Sequence, residues 1–155
     1  MFRTIKLKHP YDKKLIEMSK RIKEATQIVL DYGFENKTFN KNKLNKGTYR
    51  MVRERILTLP SALVQTARDT ASEALKATEL EKKIKRRSLT IRYDNRTFTH
   101  SDSHTISITT VQGRLVYPVA HSPLIEKYRG EYTNAQLVID EKGKRIFIMV
   151  QVNIP

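Results

Sequence analysis

At Ser88 the spacing of apolar residues changes from three and four to two, and one strand-like segment stands alone far upstream of that switch. The upstream segment, Phe2 to Lys8, sets Phe2, Thr4 and Leu7 among basic residues, which predicts a short strand ended by Pro10. Helical spacing follows. Asp12 is a good N-cap, and Leu15, Met18, Ile22, Ala25 and Val29 share one helical face up to about Tyr32. Gly33 is the expected stop. A second helix is predicted from near Asn40, carrying Leu44, Tyr49, Val52 and Ile56 and weakened by Gly47. A third begins at Leu59-Pro60-Ser61, with Ser61 as the expected cap. Its face of Val64, Ala67, Ala71 and Leu75 is narrow enough to sit in the middle of a helical bundle. That helix is expected to fade into the basic run from Glu81 to Arg87.

Beyond Ser88 the pattern alternates at Leu89, Ile91 and Tyr93, at Ile106 and Ile108, and at Leu115 and Tyr117. Gln112-Gly113 reads as a hairpin turn, Pro118 closes that hairpin, and Ser122 to Tyr128 reads as one or two helical turns. A final hairpin joins Ala135–Ile139 to Ile146–Val152 through Asp140-Glu141-Lys142-Gly143-Lys144. A lone strand leaves its backbone groups unpaired, so the first strand must join the later sheet. The expected class is therefore α+β. A small antiparallel β barrel or curled sheet is expected from residues 1–10 and 88–155, with a helical domain, residues 11–87, inserted after the first strand.

Charge narrows the function. Thirty Lys and Arg face 16 Asp and Glu, a formal net charge of +14. A surplus of that size attracts polyanions, and phosphate neutralisation with counterion release supplies most non-specific nucleic-acid binding. A thermophilic surface is the bland alternative, but that bias raises Glu together with Lys, and here the acids do not keep pace. With no cysteine, disulfides and thiolate metal sites are excluded. The opening Met-Phe-Arg-Thr-Ile-Lys lacks a secretory apolar stretch, and the run Ile146 to Val150 is too short to span a bilayer. A cytoplasmic protein is expected, so the sequons at Asn36 and Asn95 carry little weight.

His100-Ser101-Asp102-Ser103-His104 holds the parts of a triad or a metal site. Adjacency in one loop does not supply the placement that either chemistry needs, so a polar hairpin loop is the plainer reading. His9 and His121 have no partners in sequence. The five glycines form no phosphate-binding loop, and Asp94, Asp102, Asp140 and Glu141 do not converge as two-metal ligands would. The basic groups say more. Lys82, Lys83, Lys85, Arg86 and Arg87 form one patch, against the alternative of a solvated linker. Arg50, Arg53 and Arg55 form a second beside Tyr49. Arg92 and Arg96 interleave with Tyr93 and Phe98, which suits phosphate contact with base stacking, unless the two aromatics are core residues of the sheet.

Several segments resemble TnpB proteins, the OrfB proteins of insertion-sequence transposons and small relatives of type V CRISPR effector nucleases. Leu59-Pro60-Ser61-Ala62-Leu63-Val64-Gln65 with Arg68-Asp69 is similar to the start of one of their helices. Ile91 to Phe98 looks like the strand after their helical insertion, Thr4 to Lys8 like their first strand, and Ala135 to Val152 like the hairpin before their nuclease domain. The resemblance implies a wedge-type, oligonucleotide-binding-like β barrel with an inserted recognition domain that holds guide RNA and helps to read DNA. It also implies Gln65 and Tyr49 as DNA contacts. Family members continue into a RuvC-like domain with an Asp/Glu/Asp metal site, whereas this chain stops at Asn153-Ile154-Pro155.

The expectation is a truncated TnpB-like module that binds RNA, DNA or both and has no catalytic centre of its own. Its expected contacts are Tyr49, Arg50, Arg53, Gln65, Arg68, Lys82, Lys83, Lys85, Arg86, Arg87, Arg92 and Arg96. The alternatives are a module that docks a protein partner, a relic of a transposase-associated gene, or a hydrolase built on His100, Asp102 and His104.

Overall fold

The computed structural model describes residues 2–9, 11–93, 98–100, 105–110, 113–118, 132–140, 142 and 144–153. The chain is an α+β protein divided into two compact units, Met1–Ile16 with Leu89–Pro155, and Glu17–Ser88. Among the described residues no helix is long and apolar enough to cross a membrane. The 122–128 helical turns, the turn at Gln112 and the end of the first strand at Pro10 lie outside the described residues.

The first unit holds the strands. β1 (Phe2–His9), β2 (Ile91–Tyr93), β6 (Tyr132–Asp140) and β7 (Arg145–Asn153) make one sheet in the order β1-β7-β6-β2. β3 (Phe98–His100), β4 (Thr105–Thr110) and β5 (Gly113–Pro118) make a second. Both are antiparallel, and among the described residues no strand pairing joins them into a closed barrel. β1 runs its full length along β7, from Phe2 opposite Asn153 to His9 opposite Ile146, so the lone upstream strand is paired by the end of the chain.

Side chains on alternate residues build the core. Ile5, Val150, Ala135 and Tyr93 form one cross-strand row, and Leu7, Ile148, Leu137 and Ile91 form the next; all eight are buried. Fully burying a large aliphatic or aromatic side chain contributes roughly 1.5–3 kcal/mol. The expected inward set on β1 is shifted by this register: Ile5 and Leu7 point in, and Thr4 points out. In the second sheet Ile106 faces Tyr117 and Ile108 faces Leu115, so the two alternating runs form a hairpin; Gly113, expected in its turn, is already the first residue of β5, opposite Thr110. Tyr93 is only 1% exposed, and its hydroxyl donates to the Thr109 carbonyl 3.5 Å away in β4. It is therefore a core residue and not a stacking platform.

The second unit holds the helices α1 (Lys13–Glu35, whose first turn falls in the other unit), α2 (Lys41–Arg55) and α3 (Ser61–Ala77). Asp12 caps α1, its Oδ1 accepting from the Lys14 amide at 2.9 Å, and Asn40 caps α2 through the Lys43 amide. Leu15, Met18, Ile22, Ala25 and Val29 are all buried, as are Val64, Ala67, Ala71 and Leu75 on α3. The structure corrects the sequence reading at Ser61 and at Gly33 and explains a glycine at position 47. Ser61 does not cap α3; Pro60 occupies that position without a side-chain bond, and Ser61 Oγ accepts from the Tyr49 hydroxyl instead. Gly47, expected to weaken α2, lies inside it, and the absence of a side chain there is what lets the Tyr32 ring lie against the helix. Gly33 does not end α1; it lies inside the helix, where a Cβ would overlap Leu75 and come within 2.8 Å of the Thr38 carbonyl oxygen.

The helix ends themselves use no glycine. After α1 the Thr38 amide donates to the Gly33 carbonyl and the Lys37 amide to that of Phe34, with Lys37 at φ 51°. After α3 the Leu80 amide donates to Leu75 and the Glu79 amide to Lys76, with Glu79 at φ 53° and Leu80 at φ 60°. Both are Schellman closures carrying a side chain at the left-handed position that favours glycine. Rather than fading, α3 stops sharply. Glu79→Gly should raise stability by about 0.5–1 kcal/mol, read as a higher midpoint in thermal or urea unfolding, because relief of left-handed strain outweighs the added freedom of the unfolded chain.

Candidate nucleic-acid interface

The Lys82–Arg87 segment has no regular secondary structure, yet it is not a free linker. The Gln27 side chain on α1 binds its backbone as a neighbouring strand would. Nε2 donates to the Ile84 carbonyl at 2.9 Å, and Oε1 accepts from the Arg86 amide at 2.7 Å. The same Nε2 also donates to Asp31 Oδ1, which fixes the amide's orientation. A carbonyl and an amide two residues apart point the same way only in extended backbone, and burial agrees. Lys83, Lys85 and Arg87 are exposed, while Ile84 and Arg86 between them are half-buried. The result is a comb of three outward cations, with Lys82 exposed beside it. None of these four side chains forms an ion pair with a described residue.

On α2 the second basic patch divides by role. Arg50 is exposed. Arg53 is half-buried, and its Nη1 donates to the Leu59 carbonyl at 2.5 Å, closing the turn into α3. Tyr49 is half-buried and tied to Ser61 by its hydroxyl at 3.3 Å. Arg55 is exposed in the last turn of the helix, where a cation suits the dipole.

Gln65 and Arg68 lie half-buried on α3. Arg68 is engaged within the unit: Nε and Nη2 donate to Asp69 at 3.1 and 3.0 Å, and Nη1 donates to Asn45 at 3.2 Å. Asp69 also pairs with Lys41 at 3.8 Å, so this group joins α2 to α3. Within it the Arg68 guanidinium is turned to its partners, while the Lys41 side chain stays half exposed.

Arg92 sits in the first unit on the face of the sheet opposite the core. The register sets it in one row with Gln136, Met149 and Lys6, so a cation stands at each end of that row. In the same face Lys6 Nζ lies 4.0 Å from the centre of the Phe147 ring. Arg96 and the 101–104 loop, with Asp102 and His104, lie outside the described residues, as do the side chains of Phe98 and His100. Among the described residues no three His, Cys, Asp or Glu side chains gather as metal ligands would.

Two features escape a reading of the sequence. Lys43 and Lys46 are exposed in line with Arg50, at steps of three and four, opposite the buried Leu44, Thr48 and Val52. That helical spacing is present in the sequence and is the signal that could have found them. Gln27 lies 57 and 59 residues from its partners, and no local signal marks it. No protein-family model matches the chain, and no curated protein matches it.

Proposed function

We propose that the protein is a nucleic-acid-binding module without a catalytic centre of its own, taking RNA, DNA or both through phosphate contacts. The carrying observation is the comb of Lys83, Lys85 and Arg87, held extended by Gln27 with no ion pair to a described residue. Alternate residues of an extended chain stand roughly 6.6–7 Å apart. That is about twice the ~3.4 Å axial advance per phosphate along one strand of a duplex, so the comb suits a phosphate backbone. Fixing the cations before binding also lowers the ordering cost of association.

Net charge of +14 supports the reading, and so does the resemblance of the strand, helix and hairpin segments to the front half of TnpB proteins. On that resemblance the strands correspond to a wedge-type, oligonucleotide-binding-like barrel, the ligand is a guide RNA with its DNA target, and the protein acts in the cytoplasm. Phosphate contacts would supply affinity, and any sequence preference would come from base contacts.

The experiment is recovery of bound nucleic acid from the producing cell. The chain is crosslinked in its own host, washed over a salt series, and the retained RNA and DNA are sequenced. A discrete RNA released steeply as salt rises is the expected result. If nothing remains at moderate salt, or if only protein is retained after nuclease treatment, the chain is a protein-docking module or a relic and the reading is wrong.

A further inference from the structure

Leu57 is 80% exposed, while Ile56 and Leu59 on either side of its turn are 5% and 1% exposed. The Leu59 amide donates to the Ile56 carbonyl at 3.1 Å, which makes Leu57 and Thr58 the central residues of a β-turn between α2 and α3. Two guanidinium groups hold this turn. Arg53 donates to the Leu59 carbonyl at 2.5 Å, and Arg21 of α1 donates to the Thr58 hydroxyl at 2.6 Å. Pro60 follows and fixes the exit of the chain. A single exposed leucine is ordinary on a protein surface. The turn beneath this one is held on both sides, because Ile56 and Leu59 are anchored in the core, Arg53 binds the Leu59 carbonyl and Arg21 binds the Thr58 side chain.

The helix leading to the turn is basic on its outer side. Lys43, Lys46 and Arg50 are exposed in one line of roughly 10 Å, with Glu54 as the acid that follows them. The first turn of α2 has no acidic residue, and its last turn carries Arg53 and Arg55. Each clamping arginine uses one of its five donors on the turn and keeps its full charge. The surface is thus an apolar tip set among cations.

We infer that this surface docks a base-paired nucleic acid, with the α2 cations along the phosphates and Leu57 inserted as a wedge at a base step. The inference rests on the nucleic-acid reading above and adds a second, apolar mode of contact to it. Charge selects the occupant. A duplex offers phosphates on its outside for the flanking cations and, where a step opens, flat apolar base faces between them. Leucine is among the side chains that open such steps and kink the duplex.

The test uses the full chain with short mixed-sequence DNA and RNA duplexes carrying 2-aminopurine, whose fluorescence rises when its neighbours unstack. The wild-type chain is expected to raise that fluorescence on binding. Leu57→Ala should abolish the rise and weaken binding about tenfold, with the slope of log Kd against log salt unchanged. Leu57→Phe should keep both signals. Replacing Lys43, Lys46 or Arg50 with Ala should instead lower the salt slope by about 0.9 for each phosphate left unneutralised. At 80% exposure Leu57 can be replaced without disturbing the core, so unfolding does not confuse the result. Wild-type binding with no fluorescence rise, or with undiminished binding and fluorescence in Leu57→Ala, overturns the wedge and leaves the phosphate-binding reading standing. No binding to any nucleic acid overturns both.

Discussion

Replacing Lys83, Lys85 and Arg87 together with Glu will weaken nucleic-acid binding by about a hundredfold or more and flatten its salt dependence. With three fewer phosphates neutralised, the slope of log Kd against log salt falls by roughly 2.7, and the new carboxylates add repulsion. All three side chains are exposed and none pairs with a described carboxylate, so the fold should tolerate the change. Fluorescence anisotropy on labelled RNA and DNA over a salt series reads both quantities, and circular dichroism checks that the helices persist. A companion variant separates charge from its arrangement. Gln27→Met keeps every cation but removes the amide that holds Ile84 and Arg86. It should cost several-fold in affinity with little change in salt slope, because the same phosphates are bound after the segment has first been ordered. If the triple variant binds as the wild type does, the comb is not the interface.

Gly33→Ala is expected to destabilise the helical unit by about 2 kcal/mol, although alanine is the better helix former by about 1 kcal/mol. The added methyl meets Leu75 and Leu44, both fully buried, and the backbone carbonyl of Thr38 in the turn that closes α1. None of these has room to retreat without opening the core. For a chain of this size the destabilisation corresponds to a fall in melting temperature of about 5 °C. The cause is testable by coupling. In Gly33→Ala/Leu75→Val the smaller side chain makes space for the methyl, so the double variant should be destabilised by less than the sum of the two single effects. Simple additivity would mean that the overlap with Leu75 is not the cause.

The parts of this fold that could be read from residues are those written by period. The inward faces of α1 and α3 follow from apolar steps of three and four, and the hairpin of β4 with β5, though not its register, follows from steps of two. What escaped reading depends on partners distant in sequence. Glycine serves both to stop a helix and to admit a neighbour, and at Gly33 only the positions of Leu75 and Leu44 decide between them. The actual stops fall at Lys37 and Glu79, residue types that carry no stop signal. The same holds for the interface. The basic run from Lys82 was visible as composition, but its extended, pinned form depends on Gln27 in the middle of α1. Arg53 and Arg68 share the chemistry of the other candidates, and only their bonds to Leu59, Asp69 and Asn45 show that they brace the helices.

The pairing of β1 with β7 has a temporal consequence. During synthesis the segment Phe2–His9 leaves the ribosome well before its sheet partner, Arg145–Asn153. The helical unit is contiguous and locally bonded, so it can condense while the opening strand still waits with both edges unpaired. Closing the sheet then requires contacts between segments far apart in sequence, a closure that costs entropy and slows folding. Alternating Lys6 and Lys8 with Ile5 and Leu7 gives the waiting segment charge enough to resist pairing with another nascent copy.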